Sequence, residues 1–169
     1  LHVGNKDIRG CIACGNCGRT GKCVFDDMVN EVAKKFEEWD GMVVGSPVYY
    51  ASANGTLTAF LDRLFYSTRF DKRMKVGASI AVARRGGCSA TFDQLNKYFT
   101  ISGMPLASSQ YWNSVHGAAP GEAESDAEGL QTMRTLAKNM AFLMKSIALG
   151  KEKYGLPEKE PSIATNFIR

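Results

Sequence analysis

The stretch Gly45–Asp62, GSPVYYASANGTLTAFLD, decides how the rest of the chain is read. An apolar run, Gly41-Met42-Val43-Val44, leads into it, and Gly45-Ser46-Pro47, two tyrosines and a small polar turn follow. From Thr56 the residues Leu57, Phe60, Leu61, Leu64 and Phe65 recur at helical spacing, so the order is buried strand, exposed loop, amphipathic helix. Pro47 fixes its own φ and has no N–H to donate, so the strand is expected to stop there. In open α/β sheets, ligands bind at the loops beyond the carboxyl ends of the strands. The bland reading of Ser46–Gly55 is a turn carrying two half-buried tyrosines.

Working outward, the pattern repeats. On the N-terminal side, Asp26-Asp27 opens a helix through about Trp39 with Met28, Val29, Val32, Ala33 and Phe36 on its apolar face. Asp40-Gly41 returns the chain to the Met42–Val44 strand. On the C-terminal side, Val76 to Ala83, VGASIAVA, reads as a second buried strand. It ends in Arg84-Arg85-Gly86-Gly87, where glycines after a strand let backbone amides approach a ligand; the alternative is a plain turn with two solvated arginines. A helix capped by Ser89 or Thr91 follows, with Phe92, Leu95, Tyr98 and Phe99 inward. Leu106–Tyr111 is expected as a weaker strand ending in Tyr111-Trp112-Asn113, a third wall of the crevice, an oligomer contact or plain core. His116, beside no paired carboxylate in the sequence, reads as structural. A long helix is expected from about Ser125 to Leu149. Strands alternating with helices predict a parallel sheet covered on both faces.

The segment CIACGNCGRTGKC places Cys11, Cys14, Cys17 and Cys23 at spacings C-x2-C-x2-C-x5-C. Two short gaps let successive thiolates converge on one small inorganic core. Three readings stay open: a [4Fe-4S] cluster, a zinc site of four thiolates, or unligated thiols. Zinc is the least favoured, because its usual sites pair two separated CxxC arms.

Composition bounds the rest. The 169 residues are 44% hydrophobic and 22% charged, an ordinary globular balance sufficient for one core. The net charge of +4 suits anionic cofactors but comes without the dense Lys/Arg run that nucleic acid binding asks for. No apolar run approaches the ~20 residues of a membrane span, and LHVGNKDIRGC is not a signal peptide. Five cysteines, four in one short segment, fit a reducing cytoplasm better than a disulfide scaffold. One domain over residues 1–150 and a polar arm over 151–169 are expected, without nucleic acid or membrane partners.

Taken together, the cysteine cluster, the Ser46-Pro47-Val48-Tyr49-Tyr50 loop with Asn54-Gly55 and Phe60-Leu61-Asp62-Arg63, the RRGG loop and Tyr111-Trp112-Asn113 resemble the flavodoxin-like NAD(P)H-dependent FMN reductases. They resemble in particular the branch of iron-sulfur flavoproteins. The resemblance runs to about Ser146. It implies a flavodoxin-like, doubly wound parallel sheet in three layers, with strand order 2-1-3-4-5. Leu1–Val3 would then be strand 2, Met42–Val44 strand 3, Val76–Val82 strand 4 and Leu106–Tyr111 strand 5. Strand 1 and its phosphate loop have no counterpart, since a βαβ unit takes about 30 residues, so the sequence is expected to be part of a longer chain.

The resemblance implies FMN contacts from Ser46, Pro47, Val48, Tyr49, Tyr50, Asn54 and Gly55, and from Arg84, Gly86 and Gly87 near the ring. It gives Cys11, Cys14, Cys17 and Cys23 as cluster ligands. Two activities follow as expectations. One is an FMN-dependent oxidoreductase passing electrons from NAD(P)H to a quinone, flavin or other small acceptor. The other is an electron carrier linking ferredoxin, a [4Fe-4S] cluster and FMN. A zinc-bound module without flavin is the outsider. A homodimer or homotetramer is expected, as is a cysteine loop emerging on the same sheet edge as the flavin loops.

Overall fold

The computed structural model describes residues 1–165 and 167. Its elements, in order, are α1 (Asn16–Thr20), α2 (Met28–Phe36), β1 (Gly41–Tyr49), β2 (Ser52–Ala53), α3 (Gly55–Ser67), β3 (Val76–Ala83), α4 (Cys88–Thr100), β4 (Ser114–His116), a 3₁₀ turn (Glu122–Ser125) and α5 (Ala127–Tyr154). β1 pairs in parallel with β3, from Gly41 opposite Val76 to Pro47 opposite Val82, and β3 pairs in parallel with β4. β2 folds back antiparallel on the end of β1, giving a four-stranded mixed sheet in the order β2-β1-β3-β4.

The helices lie on both faces. On one, α2, α3 and α4 bury Val29, Phe36, Leu61, Leu64, Leu95 and Phe99 against Met42 and Val44. On the other, α5 brings Leu136 and Met140 onto Val76 and Ala78. Along β3, Gly77 has no side chain because Phe99 occupies that space: a Cβ there would meet the ring at 2.7 Å. Phe99 is fully buried, so Phe99→Ala opens a cavity under the sheet and is expected to cost about 3–4 kcal/mol in a urea melt. A loss below about 1 kcal/mol would show that the α4 face does not hold the sheet.

Several boundaries differ from the sequence reading, each for a physical reason. β1 does not stop at Pro47. Its alternation continues, with Met42, Val44 and Ser46 buried and Val43, Gly45 and Pro47 exposed. Pro47 stays in register opposite Val82 of β3, and β2 pairs only from Val48 onward, so the N–H that proline lacks is not demanded by that neighbour. Leu1–Val3 is not a strand: it has no ladder partner among the described residues, and Leu1 is exposed. Leu106–Tyr111 contributes only a single bridge, Leu106 to Gly77. Polar Ser109 then turns the chain, its hydroxyl within donating reach of the Tyr111 carbonyl or Asn113 Oδ1, and pairing resumes at Ser114. α2 ends at Phe36, before Trp39. α5 starts later and ends later than expected, at Ala127 and Tyr154, so the first residues of the anticipated arm are helical. Among the described residues no helix is long and apolar enough to cross a membrane.

Candidate functional site

The loop after β1 is a two-residue hairpin built under strain. Tyr50 and Ala51 both take left-handed φ values, 51° and 57°, as the favoured hairpin turn requires at its two central positions. Neither residue is glycine, so the turn costs of order 1–3 kcal/mol per position unless its surroundings hold it. They do. Gln94 on α4 accepts from the Ser52 hydroxyl and the Ala53 N–H, both at 2.9 Å. The Ser46 hydroxyl, almost fully buried, accepts from Asn54 N–H at 2.9 Å and donates to the Pro47 carbonyl at 2.8 Å. Asn54 Oδ1 caps α3 by accepting from Thr56 and Leu57. Ser46 is therefore a clasp inside the loop, and Asn54 offers a ligand only its amide nitrogen. The clamp by Gln94 left no signal in the sequence, since nothing in the local pattern pairs it with Ser52.

The result is a rigid turn that presents Tyr50, whose ring is wholly exposed, beside half-exposed Tyr49. Ser46, Pro47, Tyr49 and Asn54 line a cleft of about 530 Å³ that runs along β1 past Val43 and Leu57 to residues 1–5. The loop after β3 stands next to it. Gly87, at φ 90°, approaches so closely that a Cβ would lie 2.9 Å from both Ala51 Cα and Val48 Cγ1. Arg84, Arg85 and Gly86 are exposed above this contact, and Gly55 is exposed at the start of α3. Val48 thus belongs to the joint between the two loops, while Tyr111 and Trp112 sit in the turn before β4 as an exposed ring pair, 5.2 Å between ring centres.

The four cysteines gather elsewhere. Cys11, Cys14, Cys17 and Cys23 line a small cavity of about 20 Å³ with Val24, Phe25, Arg63, Tyr66 and Ser67. Arg63, Tyr66 and Ser67 belong to the C-terminal half of α3, whereas the hairpin sits at its N-terminus. From Gly55 to Tyr66 the helix spans about 16 Å. The cysteine loop therefore does not emerge on the same edge as the loops after β1 and β3: Leu1–Val3 forms no strand to deliver it there, and the segment instead packs under α3. The thiols are all free, with Cys17 buried, Cys23 half-buried, and Cys11 and Cys14 exposed. Among the described residues no three Cys, His, Asp or Glu side chains converge on a single-ion position. Zinc would require sulfurs all about 2.3 Å from one centre, whereas a four-iron cluster takes one thiolate per iron. The donor set thus suits the cluster better than one ion. On the same wall the Ser67 hydroxyl is buried, with no hydrogen-bond partner among the described residues.

At the floor of this cavity lies Arg63, 1% exposed. Its Nε donates to Cys23 Sγ at 3.2 Å, and its Nη atoms form a fork with Asp27 at 2.7 and 2.8 Å. The guanidinium also rests on the Phe25 ring. Burial works against its charge, but the bonds to Asp27 and Cys23 more than offset this and raise its pKa.

A third group joins the two arginine-loop neighbours, and the sequence reading missed it. His116 does have a carboxylate: its Nδ1 lies 3.6 Å from Asp126 Oδ2, and its Nε2 lies 3.9 Å from the Cys88 thiol. Burial pushes that thiol up, toward its neutral form. Asp126 caps α5 through Gly129 N–H and accepts from His116 N–H, and these bonds hold its carboxyl below the usual range. A depressed carboxyl adds stability that is present above its unfolded value, near pH 4, and lost as pH falls through the folded one. Asp126→Asn is thus expected to remove part of the acid-induced fall in melting temperature; an unchanged acid limb would show that the cap does not titrate.

Comparison with known proteins fits this geometry. A family model described as NADPH-dependent FMN reductase matches residues 1–119. An iron-sulfur flavoprotein from Methanocaldococcus jannaschii is 35% identical over 155 residues, 87% of this chain and 80% of that protein. Another, from Methanosarcina thermophila, is 30% identical over 157 residues, 90% of this chain and 81% of that one. Among solved structures, the metal-soaked Flv1 flavodiiron core from Synechocystis gives a TM-score of 0.52 at 12% identity, over 72% of this chain and 27% of that one, a likeness of fold alone. The parallel core with helices on both faces is a flavodoxin-like α/β fold. With the family model spanning most of the chain and both relatives at or above 30% identity, the chain belongs to the NADPH-dependent FMN reductase family, beside members named iron-sulfur flavoproteins.

Proposed function

We propose that this protein is a flavin oxidoreductase of the electron-carrier type, exchanging electrons between FMN and a [4Fe-4S] cluster on Cys11, Cys14, Cys17 and Cys23, with a ferredoxin-class partner. The observation that carries this reading is the cavity shared by all four thiols, with a buried, permanently charged N–H donor on one of them. FMN, when bound, supplies both one- and two-electron chemistry. The chain's own part is position and field. Tyr49 and Tyr50 offer apolar ring faces, held still by Gln94 and Ser46. The Gly86-Gly87 backbone offers N–H donors near the ring, and Arg84 is a cation able to stabilise negative charge there.

A second reading keeps NAD(P)H as donor and a quinone, flavin or other small acceptor. It is favoured by the exposed Arg84-Arg85 pair beside the flavin loops, which suits the phosphates of a dinucleotide. Protein purified without oxygen separates the two. Iron, sulfide and a broad visible shoulder beside the flavin bands support the carrier; flavin bands alone, with rapid bleaching by NADPH or NADH, support the nicotinamide enzyme.

The ~16 Å between the two ends of α3 is a long step for electrons inside one chain. With the exposed Tyr111, Trp112 and Phe142, it favours a homodimer or homotetramer in which a second copy shortens the path. Light scattering of the flavin-loaded protein is expected to give a dimer or tetramer at micromolar concentration, and a monomer would rule this arrangement out.

A further inference from the structure

We propose that Arg63 and Asp27 form a matched pair that sets the reduction potential of the cluster through Cys23, Arg63 pulling it up and Asp27 pulling it down. The proposal rests on the cluster reading above and deepens it.

Cys23 is held more firmly than the other three thiols. Asn30 clamps its backbone from both sides: Oδ1 accepts from Cys23 N–H at 2.9 Å, and Nδ2 donates to the Cys23 carbonyl at 3.1 Å. Asn30 Nδ2 also donates to the Phe25 carbonyl, which fixes the turn that follows. The sulfur itself receives Arg63 Nε. Each remaining arm of the guanidinium is engaged: Nη1 donates to Asp27 and to the Arg9 carbonyl, and Nη2 donates to Asp27 and to the Phe25 carbonyl. The fork leaves one orientation, so Nε is aimed at the sulfur and stays aimed. Asp27 is fixed in turn, because its Oδ1 also caps α2 by accepting from Val29 N–H.

The sign of each contribution follows from charge. Adding an electron makes a thiolate-ligated cluster more negative. A cation and an N–H donor at a ligand sulfur stabilise that reduced form and raise the potential, whereas a nearby carboxylate opposes it. Arg63 touches the sulfur, and Asp27 acts through Arg63, so both are positioning residues. Arg63 is 1% exposed while Asp27 is 26% exposed, so the guanidinium at the sulfur is less screened by solvent and salt than the carboxylate behind it.

Two substitutions with opposite signs test this. Arg63→Gln removes the cation and leaves Asp27 behind. It is expected to lower the equilibrium constant for cluster reduction about tenfold, ~59 mV more negative for a one-electron couple. Asp27→Asn keeps Arg63, keeps a side chain that caps α2, and is expected to move the potential the other way by a comparable factor. Redox titration of the cluster signal by electron paramagnetic resonance reads both, with iron and sulfide content measured alongside. A purely structural role would lower cluster content in both variants and leave the potential of the remaining cluster in place, and that result overturns the proposal. So do shifts of the same sign. If Arg63→Gln does not fold, the sign found for Asp27→Asn decides. Wild-type protein without iron or sulfide would overturn the cluster reading itself, and is recognised before any variant is made.

Discussion

Gly87→Val is expected to abolish FMN binding and to lower stability by about 3 kcal/mol or more. Two costs combine. The residue sits at φ 90°, where a β-branched side chain is strained by 1–3 kcal/mol, roughly. Its Cβ would also lie 2.9 Å from Ala51 Cα and from Val48 Cγ1. Ala51 is backbone in a hairpin that is already strained and tied to Gln94, so it cannot retreat cheaply; overpacking of this kind costs about 1–3 kcal/mol. The loop after β3 would have to lift off the hairpin, and the gap between them is where Tyr50, the Gly86-Gly87 amides and Arg84 are brought together. Gly86→Ala is the control, since it has open space around it and an ordinary φ. Fluorescence titration with FMN reads the first effect and urea melts the second. An affinity within threefold of the wild type in a folded Gly87→Val protein would mean that the flavin does not use this joint.

The sequence made some of this legible and hid the rest, and the difference is one of range. The β1–loop–α3 unit is local: its apolar run, its turn residues and its 3.6-residue stripe lie within one continuous stretch, so its existence and the place of the site could be read directly. Its end was misjudged at Pro47, because whether a proline ends a strand depends on whether its neighbour needs the N–H, which is a property of the sheet. The Leu106–Tyr111 strand failed for a related reason. The residues are strand-like, but the Ser109 hydroxyl offers the backbone a competing set of bonds. Long-range partners were invisible altogether. Gln94 lies 41 residues from Ala53, Asp126 lies 10 from His116, and Arg63 lies 40 from Cys23. Arg63 is instructive. On α3 it occupies a buried position among Phe60, Leu61 and Leu64. A charge in such a stripe was the one available signal that something acidic or thiolate-like waits on the other side.

Cys14→Ser should remove the cluster and leave the flavin. Cys14 is exposed, and its thiol makes no hydrogen bond among the described residues, so the substitution removes no packing. The expected change in the stability of the metal-free protein is within about 0.5 kcal/mol. What it removes is one soft ligand of four. A serine hydroxyl stays protonated near neutral pH and does not replace a thiolate on iron, so iron and sulfide are expected to fall to less than half of the wild-type content, along with the broad visible shoulder. FMN binding should persist, because the cleft at Ser46, Pro47, Tyr49 and Asn54 lies at the other end of α3 and shares no lining residue with the cysteine cavity. Reduction by ferredoxin should slow by at least an order of magnitude, while any direct reduction by NADPH or NADH should be nearly unchanged. Full iron content in the variant would remove Cys14 from the ligand set. Loss of FMN with the fold intact by circular dichroism would be the more serious result: it would place the flavin against the cysteine loop, and α3 would no longer be the spacer that keeps the two centres apart within one chain.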